Sequence, residues 1–239
     1  MDDTDPFAAT NRLPTPNRPL LGLTILVVED SRFACEAMRL LCLRSGARIR
    51  RADCLKSARR HLQTYRPSVI VVDLGLPDGS GVDLIAELAE TVPRVSVILG
   101  TSGDDFGQEA AIAAGADGFL NKPVSSLAAF QHEVLSRLPP DRQPVGPRVV
   151  SDEEIQPDQM AYQDDMAHVA DVLSDRSDEQ ILDYVAQFLG GVARSARDSV
   201  LADAAARLAH SRANGAPVAT DTARIAGLVQ ERLEQKRAI

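Results

Sequence analysis

Residues 69–81 read VIVVDLGLPDGSG, and this stretch sets the architecture. Val69 to Val72 are an unbroken apolar run of β-branched residues, the composition of a strand covered on both faces. Asp73 stands at its carboxyl end. Pro77, Asp78 and Gly79 supply turn chemistry, and a helical pattern runs from Gly81 to Thr91. The scheme recurs at Thr24 to Val28, Val95 to Leu99 and Gly118 to Leu120, with Ala47 to Ala52 as a weaker member. Helical patterns over 31–45, 55–65, 104–114 and 125–138 separate these runs, and Gly46 and Gly115 fall where helix ends favour a left-handed residue. The alternation predicts an α/β fold, a doubly wound five-stranded parallel sheet with right-handed crossovers. Ligands of such sheets bind beyond the carboxyl ends of the strands.

Glu29 and Asp30 follow the first run, Asp73 the third, Thr101 the fourth and Lys122 the fifth, so all five side chains are expected at one edge. Three carboxylates within a few ångströms repel by roughly 1–4 kcal/mol per pair at effective dielectrics from 80 down to 20. Without a counter-charge their pKa values rise or the side chains splay. A hard divalent cation such as Mg²⁺ resolves that conflict, because it takes oxygen ligands, keeps waters and shares a phosphoryl oxygen. Lys122 adds a fixed positive charge and Thr101 a hydroxyl donor. Together these groups make a cradle for a transferred phosphoryl group, with an aspartate as nucleophile. Each residue alone also has a plain structural role: Asp30 or Ser31 as a helix cap, Asp73 as a turn start, Thr101 as a strand-end hydroxyl, Lys122 as a surface charge and Phe119 as a packed ring.

The strings VVED (27–30), VVDLGLPDGSG (71–81), VILGTSG (97–103) and GADGFLNKP (115–123) stand in order, each at a strand end, with gaps of 43, 28 and 21 residues between Asp30, Asp73, Thr101 and Lys122. This set resembles the receiver domain of two-component response regulators, a flavodoxin-like fold, over roughly residues 22–139. The resemblance implies that Asp73 is phosphorylated by a histidine kinase or a histidine phosphotransfer protein, and that the domain itself catalyses the transfer and the slow hydrolysis of the product. It implies that Asp30, Asp73 and the carbonyl of Gly75 hold Mg²⁺, with Glu29 acting through a metal-bound water, and that Thr101 and Lys122 bind the phosphoryl oxygens. Thr101, Phe119 and Pro123 are the implied switch residues, with Phe119 turning into space vacated by Thr101 and reshaping the face of the fourth helix, fifth strand and fifth helix. Glu29, where aspartate is commoner, and Leu76, often methionine, are mild departures. Gly75 and Gly103, each two residues past a site residue, suggest an acceptor site open to water.

The remainder is read from composition. Residues 1–20, with four prolines, are expected to be a loose tail, 21–138 the receiver, 139–155 a proline-rich linker and 156–239 a smaller all-helical domain. No apolar run approaches the roughly 20 residues that cross a membrane, and the acidic start is the wrong sign for a secretory signal. Cys35, Cys42 and Cys54 lack metal-ligand spacing and read as reduced thiols of a cytoplasmic protein.

Past the linker, helical stripes take over: Tyr162, Met166, Val169 and Leu173; Ile181, Val185, Phe188 and Val192 after a capping box at Ser177 to Gln180; Val200, Leu201, Ala204, Ala205 and Leu208; and Ile225, Leu228, Val229, Arg232 and Leu233. These suit a small bundle or a homodimer interface, with output to a protein target or to a second copy. Residues 140–239 hold 11 Lys and Arg against 17 Asp and Glu, a net charge of −6. That balance makes DNA an unlikely partner, because phosphate contacts need cations, although 172–189 carry a faint helix-turn-helix cadence that keeps a transcriptional regulator as the alternative. His168 and His210 read as bundle histidines, His210 lacking the neighbours of a phosphotransfer helix. No enzymatic output motif follows residue 140.

Overall fold

The computed structural model describes residues 13–104, 106–146, 150–175 and 179–235. The first half contains β1 (Thr24–Val28), α1 (Arg32–Ser45), β2 (Arg48–Ala52), α2 (Leu55–Thr64), β3 (Val69–Asp73), the short β4 (Gly75–Leu76) and β5 (Gly79–Ser80), α3 (Gly81–Glu90), β6 (Val97–Ser102), α4 (Gly107–Ala113), β7 (Gly118–Asn121) and α5 (Leu127–Leu135). Five strands make one parallel sheet in the order β2-β1-β3-β6-β7, the flavodoxin-like order, while β4 and β5 pair as an antiparallel hairpin just past Asp73.

The strands are apolar throughout because both faces are covered. Ile25, Val27, Val69, Val71, Val97 and Leu99 pack with α1 and α5, whereas Leu26, Val28, Ile70, Val72 and Ile98 pack with residues of α2, α3 and α4. The period-two alternation thus divides one apolar string between two cores. Gly46 ends α1 at φ 84°, with its N–H bonded to the Cys42 and Leu43 carbonyls, as its place predicts. Three elements differ from expectation: α5 is shorter, at Leu127–Leu135, and β6 and α4 are shifted. β6 starts at Val97 and continues through Ser102, because Thr101 pairs with both Asp73 and Leu120. α4 starts at Gly107, because the Asp104 carboxylate accepts the Phe106 N–H in a turn before it.

Leu20 is fully buried in the core under α1 and α5, as is Ile155 almost completely. Residues 140–142 form a 3-10 turn, and farther on the Ile155 N–H bonds to the Ser125 carbonyl while the Leu127 N–H bonds to that of Glu153. The chain leaving the sheet is therefore tied back to it before the second half begins.

That half is a bundle of α6 (Gln159–Asp175), α7 (Glu179–Ser195), α8 (Ser199–Ala213) and α9 (Ala219–Glu234). α6 packs on α7 and α9, and α8 on the same two. Tyr162, Met166, Val169, Val185, Phe188, Val192, Leu201, Ala204, Ala205, Leu208, Ile225 and Val229 are its buried core. Two stripe residues behave differently. Val200 is 46% exposed, one residue off the buried face. Arg232 aims its guanidinium at Asp198, 2.7 Å away, which also accepts the Tyr162 hydroxyl and caps α8 at the Leu201 N–H. The capping box expected at Ser177 reaches residues outside those described.

The bundle docks on the N-terminus of α1. Asp165 of α6, 2% exposed, accepts from the Ser31 hydroxyl at 2.7 Å, the Arg32 N–H at 2.8 Å and the Phe33 N–H at 3.1 Å. A carboxylate here satisfies orphan amides and meets the positive end of the helix dipole. Phe33 belongs to the bundle core and lies edge-on to Tyr162 at 5.8 Å. Removing the carboxylate strands those donors. Asp165→Ala should lower unfolding free energy by about 1–3 kcal/mol and split a shared urea transition into two; an unchanged single transition would show that the two halves dock without it.

Candidate functional site

Register places the site. Val28 pairs with Val72, Asp73 with Thr101 and Ser102 with Asn121, so the residues just past β1 lie beside Asp73, with Thr101 and Lys122 beyond. Ligand oxygens of Glu29, Asp30 and Asp73 lie within 4.8 Å of one another. Lys122 Nζ lies 2.7 Å from Glu29 Oε2 and 3.1 Å from Asp73 Oδ2. The lysine and Glu29 are almost wholly buried, and Asp73 is 7% exposed.

One lysine does not balance three carboxylates. Burial, then the Asp73 carboxylate, pushes Glu29 up to about 8. Burial, then Asp73, likewise lifts Asp30 to about 7. Burial opposes the charge on Lys122, but Asp73 and Glu29 overcome it and hold the ammonium above its usual value. An all-oxygen acidic set carrying this strain fits a hard divalent cation.

Thr101 Oγ1 donates to the Leu120 carbonyl at 2.8 Å. Phe119 is already inside, 7% exposed, where β-carbons on Gly100 and Gly107 would press on its ring. The inward turn envisaged for it therefore has no outward starting position here. Lys122–Pro123 is cis. The five strand-end residues, with Gly75 two positions past Asp73, are thus brought together as expected.

What the sequence did not disclose is the roof. α7 lies over this edge. Tyr184 donates its hydroxyl to Asp30 Oδ2 at 2.9 Å, and His168 Nε2 is 3.1 Å from the same hydroxyl. Since the phenol proton goes to the carboxylate, the imidazole is the donor in the second bond. A β-carbon on Gly191 would lie 3.8 Å from Lys122 Nζ. The Gln187 amide lies against Gly75 and the Arg194 guanidinium against Gly103, so a β-carbon at either glycine would collide with them. The open acceptor site read from these glycines is corrected here: their missing side chains make room for two side chains of α7. A cleft of about 580 Å³ remains between the edge and the bundle. Tyr184 flanks the stripe Ile181, Val185, Phe188 and Val192, whereas Gln187 and Arg194 lie on the opposite face, which periodicity assigns to solvent.

Residues 25–132 match the family described as the response regulator receiver domain. These residues are a receiver domain. Among curated relatives, the KDP operon transcriptional regulatory protein KdpE of Escherichia coli (strain K12) is 32% identical over 115 residues, 47% of this chain and 51% of that protein. Response regulator MprA of Mycobacterium sp. (strain KMS) is 29% identical over 130 residues, 53% of this chain and 56% of its own length. The chain spans about half the length of the curated relatives it matches. A solved two-component response regulator from Clostridium difficile aligns at 20% identity and TM-score 0.44, over 48% of this chain and 94% of that one.

The acid cluster has a pH signature. In the metal-free protein, folded Glu29 and Asp30 keep protons that the unfolded chain, at ordinary values of 4.5 and 3.8, has released. The folded state binds more protons between about pH 4 and pH 8, so stability falls as pH rises through that window and levels off above it. A divalent ion bound by these carboxylates would offset the loss. Urea midpoints with and without Mg²⁺ should therefore diverge as pH rises; curves that stay parallel would contradict the assigned charge conflict.

Proposed function

We propose that this chain is a response regulator that accepts a phosphoryl group on Asp73 from a histidine kinase or a histidine phosphotransfer protein, with Mg²⁺, and signals through its helical bundle. The observation that carries the reading is the convergence of Glu29, Asp30, Asp73 and Lys122 at one receiver edge. Asp30, Asp73 and the Gly75 carbonyl would hold the ion, with Glu29 behind it; when bound, the ion neutralises the carboxylates and draws phosphoryl oxygens in. A carboxylate oxygen of Asp73 attacks phosphorus and the donor imidazole leaves. Lys122 balances the charge that arrives. Thr101 exchanges its bond to the Leu120 carbonyl for one to a phosphoryl oxygen, which biases the face built around Phe119 and Pro123.

The bundle makes the output intramolecular first. Asp73 lies beneath α7, so a donor protein must displace α7 to reach it. Phosphorylation and undocking are then linked, and a coupling of about 1–3 kcal/mol suffices to expose bundle surface to a protein target or a second copy. Free thiols at Cys35, Cys42 and Cys54 support a cytoplasmic setting, and no described helix is long and apolar enough to cross a membrane.

A second reading, a DNA-binding transcriptional regulator, is favoured by the names of relatives such as KdpE. Against it stand the net charge of −6 and the cations themselves: Arg194 lies against Gly103, and Arg197 pairs with Glu154 at 2.9 Å. Asp73→Asn should abolish hydroxylamine-sensitive phosphate after exposure to phosphoramidate and Mg²⁺; label retained at wild-type level would overturn the assignment of the acceptor. Duplex DNA titrated at low and moderate salt should show no steeply salt-dependent binding, and such binding would favour the second reading.

A further inference from the structure

The unexplained feature of the cleft is the pair of side chains entering it from α7. Gln187 and Arg194 make no side-chain hydrogen bond or ion pair among the described residues. Gln187 nevertheless lies against Gly75, two residues past Asp73, and Arg194 against Gly103, two past Thr101, where a β-carbon on either glycine would collide with them. They line the same cleft as Asp30, Asp73 and Lys122. At about 30 Å³ of liquid volume per water, that cleft holds a phosphoryl group, an ion and several waters while the bundle stays docked.

Charge supports a role for the cation. Three carboxylates and one lysine leave two negative charges, which a divalent ion cancels. An acyl phosphate dianion carries one more negative charge than the carboxylate it replaces, and Arg194 is positioned at the edge to meet it. An amide beside an anion has a different use: its oxygen accepts from a water while its N–H₂ donates to a phosphoryl oxygen, which aligns water and phosphorus.

We propose that the docked bundle dephosphorylates its own receiver, with Gln187 over Gly75 orienting the attacking water and Arg194 over Gly103 holding the phosphoryl oxygens. This rests on Asp73 being the acceptor. The water oxygen forms the new bond to phosphorus, and the bond from phosphorus to the Asp73 oxygen breaks. The electron pair returns to the carboxylate, and both water protons leave on dihydrogen phosphate. Undocking lets a donor in and exposes the bundle; redocking restores α7 and ends the signal.

The test uses the full chain labelled with phosphoramidate and Mg²⁺. Gln187→Met keeps length and helix propensity but lacks the amide, and should lengthen the half-life of the label about tenfold or more. Gly75→Ala displaces the amide from the receiver side and should lengthen it too, with little further effect when combined with Gln187→Met, because both act on one group. Arg194→Gln should weaken beryllofluoride binding in the presence of Mg²⁺, followed by calorimetry, roughly tenfold. A half-life unchanged or shortened in Gln187→Met of unaltered thermal midpoint overturns the proposal while leaving the acceptor assignment intact. A wild-type chain that takes no label on Asp73 overturns both.

Discussion

Negative charge gathered at one sheet edge is the constraint from which the rest follows. Parallel pairing of β1, β3 and β6 fixes the carboxylates of Glu29, Asp30 and Asp73 side by side whatever their mutual repulsion, because moving them apart would cost the buried ladders of two cores. Lys122 meets only part of the charge. The residual strain is visible in the raised proton affinity of Glu29 and Asp30. A folded protein keeps such a cluster where binding an ion or a group relieves it.

The bundle answers the same charge in another way. Its α6 and α7 reach the site through the start of α1, where Asp165 takes the free amides and Tyr184 donates to Asp30. These contacts lie within a few residues of Glu29 and Asp30, so only a short path separates the acids from the docking surface. The link is short because Ser31 is bonded to both sides: its N–H to Glu29 and its hydroxyl to Asp165.

The receiver half was legible in the sequence because its signals are local and repeated. Apolar runs in 69–72 and 24–28, turn residues at 77–79 and glycines at helix ends each announce one element, and the strand-end rule then places Asp30, Asp73, Thr101 and Lys122 without coordinates. The four bundle helices were legible as stripes for the same reason. Their placement was not, because docking is written in residues outside those stripes: Asp165 and Tyr184 flank the stripes of α6 and α7, and Gln187 and Arg194 lie on the far side of α7. One local sign was there. Gly190 and Gly191 sit within α7, where glycine is costly without a neighbour to accommodate; Gly191 faces Lys122, and Gly190 lies beside the Arg194 guanidinium. Gly75 and Gly103 carried the complementary sign on the receiver, but a missing side chain looks the same whether water or a neighbouring helix fills its place.

The most direct test of this account is calorimetry of Mg²⁺ binding to the full chain near pH 7, repeated in two buffers of different ionisation enthalpy. If an ion relieves a cluster in which Glu29 and Asp30 retain protons, binding saturates at a single site and the buffer dependence reveals proton release, with both effects lost in Asp30→Asn. Absence of binding, or binding without proton release, would contradict the claim that the edge is held under unbalanced negative charge.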